Sequence, residues 1–282
     1  MRLDIFLVSQ YKQFSRGFLQ KFIREIGVKV NGVMTKKTHY FLNEDDKLEL
    51  SVGDLEKFLD SKTLPRKARD IKNETILFEN KDFLVVEKQP FIRSEDVING
   101  FFPVHRLDKD TSGVLVIAKN IVAQAALQKQ WRERLVKKTY VALVKGVLKP
   151  AKGAIEAGIF RSMKDRRRMA VSDSADSRAS FTEYKVKKHF KDCSLVYVYP
   201  RTGRTHQIRV HFAAIGYPVI GDNVYGDKSL NRSFERQFGL KRQFLHALEL
   251  KIMNLDTKKR QTFKSQLPKD LSLLFQYLNK SV

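Results

Sequence analysis

From Thr75 onward the chain repeats one pattern: short apolar or alternating runs of strand length, bounded by turn residues. ILFENKDFLVVEK reads as two strands joined by a turn at Asn80-Lys81-Asp82. GVLVIAK is a continuous apolar run, as expected of a strand covered on both faces, and TYVALVKGVL follows it as another strand. FTEYKVKKHF and CSLVYVYP alternate with period two. AQAALQKQWRERL and THQIRVHFAAIG carry helical spacing, the second starting at Thr205 and ending at Gly216. Strands outnumber helices and follow one another closely, which favours meanders over crossovers. The expected class is α+β: a mixed, mostly antiparallel central sheet with flanking helices.

The front of the chain reads differently. Leu3, Phe6 and Leu7 have helical spacing. Ser15 stands as a candidate N-cap before GFLQKFIREI, whose apolar positions recur at helical intervals up to a stop at Gly27. Asn31-Gly32 between VKV and VMT is a tight-turn signal, and NEDDKLELSV is an acidic turn leading into a strand. Residues 1–52 are therefore read as a small α+β domain of their own. Residues 53–73, polar and without clear periodicity, are read as a linker, and 74–282 as the main domain.

Lys and Arg number 54 against 31 Asp and Glu, a net charge of +23. An excess of this size favours a polyanionic partner, either nucleic acid or an anionic membrane surface. No apolar run approaches the roughly 20 residues that span a bilayer, and the first residues lack a signal-peptide core, so no membrane partner is expected. Cys193 is alone, so no internal disulfide forms, in keeping with a reducing cytoplasm.

Two stretches carry chemistry. In His105-Arg106-Leu107-Asp108-Lys109-Asp110-Thr111-Ser112-Gly113 a polar loop with two acids feeds straight into the apolar strand, which puts the acids at the mouth of a sheet. In Arg201-Thr202-Gly203-Arg204-Thr205-His206-Gln207-Ile208-Arg209-Val210-His211-Phe212 arginines and histidines crowd a helix start, a setting that suits phosphate or carboxylate. Arg209 lies between core positions Ile208 and Phe212, so it is expected to be half-buried with an anionic partner. His206 and His211 do not share a helical face, and the chain offers neither a second Cys nor a nearby acid for them, so no metal is expected.

HRLDKDTSGVLVIAK and RTGRTHQIRVHFAAIGYPVIGDNVYG resemble the two signature motifs of the RluA/RluD-type RNA pseudouridine synthases. ILFENKDFLVVEKQP is similar to the entry hairpin of that catalytic domain, KKTYVALVKG to its tyrosine motif, and FLHALELK also fits. Residues 1–52, with RLDIFL, SRGFLQKFI and VKVNG, resemble the small "S-four" RNA-binding domain. The resemblance covers nearly the whole chain. It implies the pseudouridine synthase fold, with Asp108 as catalytic aspartate, Tyr140 as the tyrosine against the target base, and Arg209 as the basic partner of the aspartate. It also places Arg106 to enter the RNA stack beside an extruded uridine. One departure stands out: after Lys88-Gln89-Pro90 the family's glycine-rich turn and longer loop are replaced by the shorter QPFIRSEDVINGFFPV, which lacks that glycine.

The chemistry suits these residues. Isomerisation breaks the glycosidic bond, turns the uracil and joins its C5 to the sugar with no redox change, so no cofactor is expected. A carboxylate can attack the sugar or stabilise its cationic or glycal form. A guanidinium keeps that carboxylate charged in a partly dry site, and a tyrosine offers a flat face or a phenol. RNA contacts are expected from Arg204 and His206 beside the site and from Arg16, Lys21, Arg24, Lys29, Lys36 and Lys37 on the front domain, with RSMKDRRR (161–168) as a further phosphate-binding candidate. The expected partner is ribosomal RNA of the large subunit first and transfer RNA second; a monomer is expected. A rival reading of Asp108-Lys109-Asp110 as an aspartyl-phosphate motif fails because Thr111 comes one place too early and the strand follows the acids. A non-catalytic RNA-binding protein would not need Asp108, Tyr140 and Arg209 together.

Overall fold

The computed structural model describes residues 1–282 except 12, 13, 15, 64–73, 99, 100, 163, 164, 166, 167, 173, 176, 281 and 282. The candidate cap Ser15, most of the second half of the expected linker, and Met163, Lys164, Arg166 and Arg167 of the basic run lie outside the described residues.

The front unit comprises α1 (Leu3–Gln10), α2 (Arg16–Glu25), β1 (Val28–Val30), β2 (Val33–Thr35), β3 (Leu48–Glu49) and α3 (Val52–Thr63). Leu3, Leu7, Phe18, Leu19, Phe22 and Ile23 are all buried in one cluster, so the helical spacing read from the sequence is the spacing that packs. Asn31 and Gly32 both take positive φ (52° and 78°) and close the β1–β2 hairpin with Val30 opposite Val33, as an Asn-Gly turn should. The expected linker gives way to helix over 52–63. Ser51 caps it: its hydroxyl accepts from the Asp54 N–H (3.1 Å), while the Asp54 carboxylate accepts from the Ser51 N–H (3.0 Å) and hydroxyl (2.7 Å). This reciprocal box was legible as Ser-x-x-Asp. The buried pair Leu55 and Phe58 then turns one face of α3 into the front core, a stripe too narrow to stand out as periodicity.

The main unit follows as β4 (Thr75–Glu79), β5 (Phe83–Lys88), α4 (Ser94–Ile98), β6 (Phe102–Pro103), β7 (Ser112–Ala118), α5 (Ile121–Arg132) and β8 (Lys137–Lys145). Next come β9 (Lys152–Glu156), β10 (Ile159–Arg161), β11 (Met169–Val171), β12 (Phe181–His189), β13 (Cys193–Pro200) and α6 (Gln207–Ala214). The chain ends with α7 (Lys228–Phe238), β14 (Leu245–Met253), β15 (Arg260–Lys264) and α8 (Lys269–Lys280). Among the described residues the large sheet runs β4-β5-β7-β14-β8-β13-β12-β9, with β15 on β14 and β6 on β7. Every pairing is antiparallel except β14 with β7. The mixed, mostly antiparallel sheet with flanking helices is thus the observed class.

Every residue of β7 is buried. Val114, Val116 and Ala118 pack into the cluster with α5, while Leu115 and Ile117 pack on the other face against Val97 and Ile98 of α4. That two-sided cover explains why GVLVIAK reads as a solid apolar run. At about 1.5–3 kcal/mol per large aliphatic side chain, burial makes this strand a firm anchor for the loop that precedes it. Gly113 (φ 120°) lies so close to the Ala247 carbonyl on β14 that a Cβ would collide with backbone, which fixes glycine at the end of that loop. No helix among the described residues is long and apolar enough to cross a membrane.

Candidate active site

The loop entering β7 is held from several sides. Ser94 on α4 accepts from the Leu107 N–H (2.9 Å) and donates to the Leu107 carbonyl (3.0 Å). Buried Lys88, at the end of β5, donates to the carbonyls of Gln89 (2.8 Å), Ile92 (2.7 Å) and Lys109 (3.0 Å). Arg242 reaches the Asp110 carbonyl (2.9 Å), and Gln243 the Thr111 hydroxyl (3.2 Å). Burial lowers the Lys88 ammonium to about 8. The turn after Lys88 makes its left-handed residue out of Phe91 (φ 68°), a conformation that glycine takes without strain.

Asp108 projects from this braced loop with 18% of its side chain exposed. Arg209 on α6, only 5% exposed, donates from Nη1 to Asp108 Oδ2 (3.0 Å). The other edge of the same guanidinium grips Asp222 through Nε (2.7 Å) and Nη2 (2.9 Å). Asp222 is fully buried and also accepts from the backbone N–H groups of Val224 (2.8 Å) and Tyr225 (3.0 Å). Burial pushes the Asp222 carboxyl up, but the hydrogen bonds and charge of Arg209 outweigh it and hold the group below the usual carboxylate range. Burial likewise works against the Arg209 cation, and its bonds to Asp222 and then Asp108 more than reverse that. Arg209 was expected to have one anionic partner; it has two, of which Asp222 fixes its orientation. Asp222 lies in the GDNVYG segment of the second motif, and its place between glycine and a turn gave no hint that it would be buried.

Helix α6 begins at Gln207, two residues later than the sequence suggested. His206 precedes it in the left-handed region (φ 56°), so the helix starts only after a sharp corner. That corner aims His206 at the cleft: Nδ1 meets the Tyr225 hydroxyl at 2.9 Å and Nε2 stands 4.0 Å from Asp108 Oδ1. Burial lowers the His206 pKa, opposed by the Asp108 charge. Buried Gln207 accepts from the Thr202 hydroxyl (2.7 Å) and the Arg204 N–H (3.0 Å), tying the 201–206 loop to the helix.

Tyr140 lies on β8 in the same cleft, beside Leu107, Ile208 and Leu245. Burial first, and the Asp108 charge second, raise its phenol well above the ordinary value, so it stays protonated at neutral pH. Tyr140 therefore presents a ring and a neutral phenol, not a phenolate. Arg106 stands at the mouth, 65% exposed, with Nη1 3.3 Å from Glu95. Arg204 is exposed on the same rim. Asp108, Tyr140, Arg209, Arg106, Arg204 and His206 all line one cleft. Among the described residues no three of His, Cys, Asp and Glu come together as metal ligands would.

The front-domain candidates lie elsewhere. Arg16 is bound to buried Asp4 (2.8 Å), Lys21 stands near Glu25 (3.9 Å), Lys29 near Glu49 (3.6 Å), and Lys36 donates to the Glu25 carbonyl (3.0 Å). Arg24 and Lys37 are exposed and have no carboxylate partner among the described residues. In the basic run, Arg168 bonds the Val224 carbonyl and lies over the Tyr225 ring.

A polar cleft at the mouth of a mixed sheet, built on one braced carboxylate, defines a class that the comparisons identify. The RNA pseudouridylate synthase family model matches residues 72–214, and the S4 domain model matches residues 1–48. An uncharacterized RNA pseudouridine synthase of Bacillus subtilis is 32% identical over 99% of this chain and 95% of its own. A ribosomal large subunit pseudouridine synthase C of Salmonella typhi is 32% identical over 98% of this chain and 92% of its own. Among solved structures, human RNA pseudouridylate synthase domain containing 1 superposes with a TM-score of 0.58 at 30% identity, covering 76% of this chain and 97% of that one. The chain belongs to the RNA pseudouridine synthase family, as an enzyme with an S4 domain at its front.

Proposed function

We propose that this enzyme converts uridine to pseudouridine in structured RNA, with large-subunit ribosomal RNA as its substrate and Asp108 as its nucleophile. The observation that carries this is the Asp108–Arg209–Asp222 arrangement. A buried cation locked by one carboxylate presents a second, partly exposed carboxylate to a cleft that also holds an aromatic ring. Asp108 attacks C1′ of the target, the N1–C1′ bond breaks, and uracil leaves with the bonding pair. The base then turns on Tyr140, C5 bonds to C1′ as the carboxylate departs, the C5 proton is lost and N1 regains one. The atoms balance without a cofactor.

A uridine inside a helix cannot reach a loop at the mouth of a sheet, so the target must leave its stack. That costs a few kcal/mol, recovered through stacking and phosphate contacts. Arg106 on the rim suits insertion into the gap, and Arg204 suits phosphate. Ribosomal RNA is favoured because relatives that align along nearly the whole chain are named for the ribosomal large subunit. In a cytoplasmic monomer the S4 domain then adds affinity and placement, with 1–52 and 74–282 as its functional halves. The test is tritium release from RNA labelled at uracil C5, with pseudouridine mapping of ribosomal and transfer RNA from cells lacking the enzyme. Loss of positions only in transfer RNA would overturn the ribosomal assignment.

A further inference from the structure

Lys138 lines the cleft; it lies outside the two long signature motifs, in the KKTYVALVKG stretch that carries Tyr140. It lies two residues before Tyr140 on β8, so the two side chains leave the same face of the strand, about 7 Å apart along it. Its ammonium makes one hydrogen bond among the described residues, to the Thr202 carbonyl at 2.7 Å. No carboxylate among the described residues pairs with it, although it is withdrawn from solvent far enough for burial to pull its pKa down to about 8. A half-buried ammonium that has spent one of three donors and lacks a counter-anion is costly unless something else supplies the oxygen. The cations at the mouth, Arg106 and Arg204, are exposed, the first suited to the gap in the RNA stack and the second to backbone phosphate. Lys138 is less exposed than they are and lines the same cleft as Tyr140.

Resting on the reading of Asp108 and Tyr140 given above, we infer that Lys138 receives the displaced uracil by donating a hydrogen bond to one of its carbonyl oxygens. When N1–C1′ breaks, the bonding pair leaves with the base, and the negative charge spreads from N1 to those oxygens. An ammonium fixed by Thr202 meets that charge where it develops and needs little rearrangement. Lys138 also gives the turning base a pivot at its edge while Tyr140 supports its face. The Thr202 bond alone would make Lys138 a strut for the 201–206 loop, but Gln207 already ties that loop through the Thr202 hydroxyl and the Arg204 N–H.

The experiment uses full-length Lys138→Met and Lys138→Arg with a stem-loop RNA carrying uridine, 2-thiouridine or 4-thiouridine at the target. A thiocarbonyl is a poor acceptor, so one of the two thio-substrates should slow the wild type. With uridine, Lys138→Met should slow single turnover at saturating RNA by about 10²–10³-fold, the cost of losing one such donor, while Kd for RNA changes less than about threefold. Lys138→Arg should recover part of the rate. The penalty for the sensitive thio-substrate should vanish in Lys138→Met, which loss of a strut would not produce. An unchanged saturating rate, with weaker binding or without it, would overturn the inference, as would the same thio-penalty in both proteins. If wild type and Asp108→Asn release tritium equally, the reading of Asp108 fails instead, and the two failures are distinguishable.

Discussion

The front domain and the cleft each bury charge around an arginine and a carboxylate, but with the inside and outside exchanged. In the front domain the carboxylate is inside. Asp4 is fully buried and accepts from Arg2 (3.1 Å), Arg16 (2.8 Å) and Gln20 (2.7 Å), while its arginines lie 37% and 51% exposed. Both of its oxygens are engaged, and the result is a joint between α1 and α2. In the cleft the cation is inside. Arg209 is sealed between fully buried Asp222 and partly exposed Asp108, which keeps Oδ1 out of that bond. A buried carboxylate ringed by exposed cations builds a scaffold, whereas a buried cation with one carboxylate left partly exposed leaves that carboxylate free for the role proposed for Asp108.

The largest effect tests the Asp108 half. Asp108→Asn should lower turnover by on the order of 10⁴-fold or more while RNA affinity and melting temperature stay near wild type. Turnover by a well-folded Asp108→Asn protein would place the reacting group elsewhere. Next, Arg209→Ala removes the inside cation and leaves Asp222 buried without its partner, a loss of about 3–5 kcal/mol in stability, with activity falling as well. An unchanged denaturant midpoint would show that the backbone N–H groups of Val224 and Tyr225 suffice for Asp222.

Asp4→Ala should cost less, about 1–3 kcal/mol, because the arginines it strands are exposed and can be hydrated. It should also leave saturating turnover on a minimal stem-loop untouched. Although burial alone would raise it, hydrogen bonds and charge from Arg16, with Gln20 and Arg2, lower the Asp4 pKa to about 2. A depressed folded-state pKa means the stabilisation is present above the unfolded value near 3.8 and is lost as pH falls toward about 2. The stability gap between wild type and Asp4→Ala should therefore close over that window; a gap that persists below it would assign the effect to packing. Neutralising two front-domain cations that have no carboxylate partner among the described residues, Arg24→Gln with Lys37→Gln, should reduce the salt slope of RNA binding by roughly 0.7–0.9 for each phosphate that is no longer neutralised. An unchanged slope would remove these two from the interface. Smallest, Phe91→Gly should relieve the left-handed backbone after Pro90 and raise stability by about 1 kcal/mol, read as a shift in denaturant midpoint. A fall in stability would show that the ring contributes more by packing than its backbone costs.

The sequence by itself determined many of the elements, though not α4, α7 or α8, and pointed to residues that meet in the cleft. Apolar period and turn chemistry are local properties, so Asn31-Gly32, the solid run of β7 and the Leu3–Leu7 spacing could be read from the residues alone. The long motifs named Asp108, Tyr140 and Arg209 because each lies in a run with many specified neighbours. Helix α3 was missed although its Ser-Asp box was legible, since two buried residues in a charged stretch make a weak period. Only the tertiary structure could decide which carboxylate is buried against Arg209 and which is left partly exposed in the cleft. Asp108 and Arg209 come from loops and helices far apart in the chain, and burial depends on what packs above a residue, not on its neighbours in sequence. The same is true of Lys138. In the sequence it is one lysine among many, and it becomes a distinct group only where the fold withdraws it from water near Tyr140 with no acid beside it among the described residues.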